Sequence, residues 1–483
     1  MGRLYEKLVE YGESDYYPYH MPGHKRNMKG CPLEEYYKTD ITEIDGFDNL
    51  HQAEGILLDV EMRINRIYGA DETFLLINGS TGGILSAVSC VAGTGGKILI
   101  ARNCHKSVYH GAYLKDYEIR YVYPSISKQF EIGMGIVPEK IRMALESEEG
   151  IAAVVITSPT YEGVISDVEE IVRIVHDFHI PVIVDEAHGA HLGLYGGFPP
   201  SAVNAGADIV IHSLHKTLPS PTQTALLHLS GNLIDREALK RYLCIYQSSS
   251  PAYPLMAGIE LCFDLIEKDG QRLFGQMFEN WDKMLGRLEE CKAFRILKSQ
   301  DVLGQGMKDL DVGKLLVSTK GTKLSGQQLY EILLKKYHLQ LEMAGNSYVL
   351  AMFTVMDTKE GYERLARALL ELDKQMREEE PYRIESEIDE KQVVLKTSCR
   401  IAEAMDAETE WIGLLESGGR TAAGFVNLYP PGIPVIVPGE IYNEEIIFNI
   451  GNWNKKNLPV QGINDRMEVL VRCEKDSQGS STA

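Results

Sequence analysis

No apolar run in this chain approaches the roughly 18 residues a membrane-crossing helix needs. Eight cysteines, at positions 31, 90, 104, 244, 262, 291, 399 and 473, include no Cys-x-x-Cys pair. Single thiols scattered over 483 residues read as reduced cysteines, which argues against a disulfide framework and against a zinc site. Basic side chains are outnumbered: 49 Lys and Arg stand against 69 Asp and Glu, a formal charge of −20. Affinity for nucleic acid depends on neutralising phosphates with Lys and Arg, so this balance disfavours such a partner and attracts a cationic small molecule instead. A basic DNA-binding module is missing from both ends. Met1-Gly2-Arg3-Leu4-Tyr5-Glu6-Lys7 has no apolar signal region, and Glu6 stands where a myristoylated Gly2 would want Ser or Thr. Nothing fits the nucleotide pattern GxxxxGK[ST], including Gly93-Thr94-Gly95-Gly96-Lys97. With 44% hydrophobic and 24% charged residues the chain reads as a soluble, cytoplasmic globular protein.

What is present is a set of apolar runs, each ending in chemistry. Asp208-Ile209-Val210-Ile211 leads into Ser213-Leu214-His215-Lys216-Thr217, a buried strand end that carries a lysine. Burial disfavours the ammonium, and a neutral amine can form a Schiff base with an aldehyde, so Lys216 is the candidate lysine for pyridoxal 5'-phosphate. A solvated loop lysine is the plainer alternative. Ile180-Pro181-Val182-Ile183-Val184-Asp185 is a β-branched run of the parallel-sheet kind ending in a carboxylate, which can pair with a pyridinium nitrogen. Asp185 can equally cap the turn that follows. The spacing to Lys216 leaves room for one crossover and one strand, putting both residues at one sheet edge. Phe74-Leu75-Leu76-Ile77-Asn78-Gly79-Ser80-Thr81-Gly82-Gly83 runs from strand through a glycine-rich turn into a helix, where backbone N–H groups and the Ser80 and Thr81 hydroxyls can point at a phosphate. Ile98-Leu99-Ile100-Ala101-Arg102-Asn103-Cys104-His105 offers an imidazole that can lie on a pyridine ring or cap the next helix. Cys104 beside it reads as buried filler.

Taken together with His20-Met21-Pro22-Gly23-His24-Lys25, Asp40-Ile41-Thr42-Glu43, Asp45-Gly46-Phe47-Asp48-Asn49-Leu50-His51 and the closing Tyr429-Pro430-Pro431-Gly432-Ile433-Pro434 with Pro438-Gly439-Glu440, these motifs resemble the ornithine/lysine/arginine decarboxylase family of fold-type I pyridoxal-phosphate enzymes over nearly the whole chain. The resemblance implies that Lys216 binds the cofactor, Asp185 pairs with its ring nitrogen and His105 stacks on the ring. It implies that Gly79, Ser80, Thr81, Ser213 and His215 hold the phosphate, with Ser248-Ser249-Ser250-Pro251 and Tyr253 completing it across a homodimer or higher homo-oligomer. His188, in Asp185-Glu186-Ala187-His188-Gly189, departs from the aromatic residue of the large acid-inducible members and is read as a contact to the cofactor hydroxyl, to the substrate carboxylate, or as filler. The chain is also too short for those members' wing domain, so their decamer is not expected. The implied activity is decarboxylation of a basic amino acid, arginine before lysine or ornithine, to an amine for polyamine synthesis. Glu440 is a candidate anchor for the distal cation, or a turn glutamate. Transamination is the alternative, for which Arg400 or Arg420 would grip a carboxylate; a silent binding protein of the same fold would be expected to have lost Lys216.

The implied architecture is α/β, an aspartate-aminotransferase-like large domain with a mainly parallel sheet, a smaller α/β domain and a C-terminal α/β domain. The boundaries read as an irregular Pro- and Tyr-containing arm over 1–50, the cofactor domain over 51–275, the small domain over 276–378 and the C-terminal domain over 379–483. Glu378-Glu379-Glu380 before Pro381 reads as a linker, and Asp476 to Ala483 as a frayed tail.

Overall fold

The computed structural model describes residues 3–304, 306–378, 393–428, 432–456 and 458–473. The β-branched runs become seven strands: β1 (Glu72–Leu76), β2 (Lys97–Ala101), β3 (Glu118–Val122), β4 (Ile151–Thr157), β5 (Val182–Asp185), β6 (Ile209–Ser213) and β7 (Ala225–Leu229). They form one sheet in the order β1-β7-β6-β5-β4-β2-β3. Pairing is parallel from β3 through β6, and β7 runs antiparallel to both of its neighbours. Every residue of β5 and β6 is buried, because a parallel sheet is covered on both faces.

Helices α1 (Arg3–Glu13), α2 (Ile56–Tyr68), α3 (Gly79–Cys90), α4 (Lys106–Leu114), α5 (Val168–Asp177), α6 (Arg236–Tyr246) and α7 (Tyr253–Leu288) accompany this sheet. Gly83 lets α3 press on it: a Cβ there would lie 2.5 Å from Leu76 Cδ1 and 3.5 Å from Ile211 Cγ2. On α2, Glu61 is buried and accepts the Leu75 N–H at 3.1 Å; burial pushes its carboxyl up to about 8. A smaller antiparallel sheet of β8 (Arg295–Ile296), β9 (Lys314–Ser318), β10 (Met343–Ala344) and β11 (Tyr348–Met352) has the order β8-β9-β11-β10. Helices α8 (Gly326–Tyr337) and α9 (Lys359–Glu378) go with it, and a Ser325–Gln328 capping box starts α8. A separate apolar cluster, with Leu414, Ile436, Tyr442, Ile450 and Val469, forms the C-terminal core.

Two expectations change. Residues 3–13 are helical, with Leu4 and Leu8 fully buried and the Leu4 N–H bound to Glu260 of α7 at 3.0 Å, so the first fifty residues are not irregular throughout. The boundary expected at 275/276 falls inside α7, a continuous helix of 36 residues. Of the expected linker Glu378-Glu379-Glu380, Glu378 ends α9 while the rest, like the tail from Asp476, lies outside the described residues. Among the described residues no helix is long and apolar enough to cross a membrane.

Candidate active site

Ligands of open α/β sheets collect at the carboxyl ends of parallel strands, and that edge gathers the chemistry here. Asp185 closes β5 and lies in register beside Thr157, the last residue of β4. The chain leaves β6 at Ser213 and turns directly into a short helix, Leu214–Thr217, that carries Lys216. His105 is the residue preceding α4 and Ser80 lies in the first turn of α3. Ser80, His105, Asp185, His188 and Lys216 line one cavity together with Asn103, Thr157, Tyr161 and Glu162. A larger cavity, ≈ 760 Å³, lies beside Lys292, Lys320 and Arg377 and contains none of these groups.

Electrostatics follow from burial. The Lys216 ammonium is driven below its ordinary value by desolvation, opposed by Asp185 and Glu342. Desolvation pushes the Asp185 carboxyl up, against the nearby Lys216 charge; its Oδ1 accepts the Ala187 N–H at 3.2 Å. It is thus a buried carboxyl suited to a cationic partner. His105 is lowered to about 4 by burial, with Lys216 second, so its imidazole is neutral at physiological pH. Its Nδ1 is held by Ser107, 2.8 Å from Oγ and 3.3 Å from the backbone N–H, so the same ring caps α4 and faces the cavity. His188 bridges two lysines: Nε2 lies 3.1 Å from Lys216 Nζ and Nδ1 lies 3.0 Å from Lys314 Nζ.

Other expected residues sit around or away from this centre. The Gly79 N–H is taken by the Gln223 carbonyl at 2.9 Å, and its φ of +69° is one that glycine adopts freely. Thr81 is solvent-exposed and does not line the cavity. Ser213 Oγ is buried with no hydrogen-bond partner among the described residues. His215, outside the lining, places Nδ1 3.1 Å from the Thr224 carbonyl. Tyr253, expected to reach across a dimer, is fully buried within its own chain, its hydroxyl donating to the Asp48 carbonyl.

Glu440 requires a correction. It is neither at the cavity nor on the surface: 1% exposed, it receives Arg102 Nε at 3.2 Å and Nη2 at 2.9 Å, and the Val437 N–H at 2.8 Å. Its carboxylate is committed to a buried ion pair that ties the end of β2 to the C-terminal segment, outside the cavity lining. Arg400 is engaged by Asp116 and Glu403 and Arg420 by Glu410, and neither lines the cavity. Tyr429, Pro430 and Pro431 of the closing motif lie outside the described residues.

The sequence reading passed over Lys314, Tyr161 and Glu162. Lys314 begins β9 and is 1% exposed, its ammonium 5.5 Å from the centre of the Tyr161 ring. Its signal was the one that marks Lys216, a lysine adjoining an apolar run, here Leu315-Leu316-Val317.

Comparison with known proteins agrees with this geometry. The family model for the Orn/Lys/Arg decarboxylase major domain matches residues 3–338, and the model for the C-terminal domain of the same family matches residues 384–451. The chain is 31% identical over 481 residues to the arginine decarboxylase of Bacillus subtilis strain 168, covering 98% of each. Among solved structures it superposes on lysine decarboxylase A from Pseudomonas aeruginosa with a TM-score of 0.82 and 20% identity, over 98% of this chain and 80% of that one. The Francisella novicida lysine decarboxylase LdcF gives a TM-score of 0.81 and 21% identity, over 98% and 81% respectively. The fold, a mostly parallel sheet with two smaller α/β units, is the fold-type I architecture.

Proposed function

Since the chain belongs to the Orn/Lys/Arg decarboxylase family, we propose that it decarboxylates a basic amino acid with pyridoxal 5'-phosphate, and that arginine is the favoured substrate. The observation that carries this reading is the convergence of Lys216, Asp185 and His105 on one cavity at the carboxyl edge of the sheet. Arginine is favoured by the full-length similarity to the Bacillus arginine decarboxylase.

The residues present fit the cofactor. Lys216 supplies a desolvated amine, Asp185 a buried carboxyl for a protonated ring nitrogen, and His105 a neutral ring of fixed orientation. The first turn of α3 with Ser80, and the unpartnered hydroxyl of Ser213, would hold the phosphate. When bound, pyridoxal phosphate supplies an electron sink for the pair left on the substrate α-carbon as CO₂ departs. Neutral at physiological pH, the His105 imidazole can lie on the cofactor ring without adding a second positive charge beside Lys216. Transamination is disfavoured because Arg400 and Arg420 are paired elsewhere.

The same reading makes the protein a cytoplasmic homodimer. Eight free cysteines support a reducing compartment. Tyr16, Tyr17 and Tyr19, 70%, 70% and 90% exposed, support a partner subunit over the N-terminal segment.

The deciding experiment measures CO₂ release from arginine, lysine and ornithine in turn by purified protein with added pyridoxal phosphate, beside Lys216→Ala. Release fastest from arginine and absent in the variant is expected. Absence of release from all three overturns the reading.

A further inference from the structure

With Glu440 bound to Arg102 away from the cavity, the distal cation of a basic amino acid has no partner among the groups assigned so far. Among the described residues lining the cavity, the carboxylates are Asp185 and Glu162. Asp185 is given to the cofactor ring nitrogen, so Glu162 is the lining carboxylate without a role.

The chain presents Glu162 on a turn built for display. Just past the end of β4 the Gly163 N–H donates to the Thr160 carbonyl at 3.0 Å, and the Thr160 N–H donates to the Val164 carbonyl at 2.8 Å. Tyr161 and Glu162 therefore take the two central positions of a tight turn at the carboxyl edge of the large sheet. Gly163 closes the turn with a φ of +99°, and a Cβ there would lie 2.7 Å from Lys314 Cγ, so the turn is pressed against the small sheet. From that sheet the Tyr348 hydroxyl donates to Glu162 Oε1 at 3.1 Å. A neutral hydroxyl fixes the carboxylate without cancelling its charge.

The turn also stands at a tail's remove from the reacting amine. His188 Nε2 lies 3.1 Å from Lys216 Nζ, and the Tyr161 ring centre lies 4.7 Å from that of His188. A substrate held by its α-amino end at Lys216 thus has the aromatic ring and then the carboxylate of this turn within reach of its side chain. Glu342 is exposed and outside the lining, its carboxylate taking the Tyr161 hydroxyl. Burial pushes the Glu162 carboxyl up, a cost that a cation beside it offsets.

We propose that Glu162 is a specificity-determining residue that binds the distal cation of the basic amino acid. This rests on the decarboxylase reading, with Lys216 as the cofactor lysine.

The test separates charge from structure. Holoenzyme is assayed with arginine, and inhibition constants are measured for the product amine agmatine and for its uncharged ureido counterpart, N-carbamoylputrescine. Glu162→Gln keeps an acceptor for Tyr348 and loses the charge. It is expected to raise the arginine KM and the agmatine inhibition constant about tenfold to a hundredfold, the range for one charged hydrogen bond. Its kcat, its cofactor absorbance and its affinity for the uncharged amine are expected to stay within about threefold of wild type. Tyr348→Phe removes the hydroxyl tie and leaves the charge, and is expected to keep the arginine KM within about threefold. A Gln variant with the wild-type KM, a Gln variant that weakens both amines equally, or a Tyr348→Phe variant as impaired as the Gln variant overturns the proposal. Should the Gln variant not fold by circular dichroism, Glu162→Asp, which withdraws the charge by one methylene, is read in its place, and wild-type values for both arginine and agmatine overturn the proposal. Wild-type protein that releases no CO₂ from arginine, lysine or ornithine sinks the decarboxylase reading itself, an outcome distinct from turnover whose KM ignores residue 162.

Discussion

Glu440→Gln separates the two roles a carboxylate in the Pro438-Gly439-Glu440 turn can play. With Arg102 11% and Glu440 1% exposed, the pair is shielded from water, and the guanidinium also donates to the carbonyls of Pro434 at 2.5 Å and Val435 at 3.3 Å. Removing one partner of a buried pair costs about 3–5 kcal/mol, because the remaining charge is stranded. Glutamine preserves shape and one acceptor, so the lower end, about 3 kcal/mol, is expected. Unfolding entropy of about 2.1 cal/mol/K per residue turns this into a Tm loss of about 3 °C if the whole chain melts together, and into more than about 15 °C if the C-terminal core melts alone. Differential scanning calorimetry reads both cases. The double replacement Arg102→Met/Glu440→Leu removes both charges and is expected to cost less than the sum of the single changes. A Glu440→Gln Tm within about 1 °C of wild type, together with a raised KM for arginine, would refute the ion-pair account and return Glu440 to the substrate.

Two further outcomes are expected. Ser213→Ala removes a buried hydroxyl that has no partner, so urea stability of the apoprotein should hold or rise, while pyridoxal-phosphate affinity, read by absorbance titration, falls about tenfold for one lost hydrogen bond; unchanged affinity removes Ser213 from the phosphate site. Glu61, pushed up to about 8 from an ordinary 4.5, is protonated in the folded chain across that window while the unfolded chain ionises, so it contributes stability that is lost as pH rises from 4.5 through 8. Urea midpoints of Glu61→Gln should lose less than wild type between pH 6 and pH 8, a window inside that range; parallel losses would show that Glu61 does not titrate there.

How much of this was legible in the sequence depends on the range of the interactions. Lys216, Asp185, His105 and Ser80 are readable because each follows an apolar run at a strand's carboxyl end, where local pattern and fold geometry coincide. The helix at residues 3–13 carries Leu4 and Leu8 at helical spacing, but the Tyr- and Pro-rich residues after it obscured the signal. Thr81 lies one position beyond Ser80 and faces solvent, since successive helical residues point in different directions. Glu440 was misread because its partner is 338 residues away in sequence. Lys314 adjoins an apolar run as Lys216 does, but it reaches the site only because the small sheet brings it beside His188, a partner 126 residues away in sequence.

The pairing order of the large sheet governs how the chain can be made. Strand β1 finds its ladder partner only in β7, Glu72 opposite Leu229 and Leu76 opposite Ala225, and α1 anchors on Glu260. On a ribosome the first strand therefore waits about 8–30 s, at ordinary elongation rates, before its neighbour exists. Throughout that interval an apolar edge is offered to the surrounding proteome, and the amino-terminal helix lacks its Glu260 anchor. Nascent chains that stop short of residue 229 lack the closing strand altogether, so chaperone occupancy during synthesis should peak before that length is reached and fall once the sheet can close.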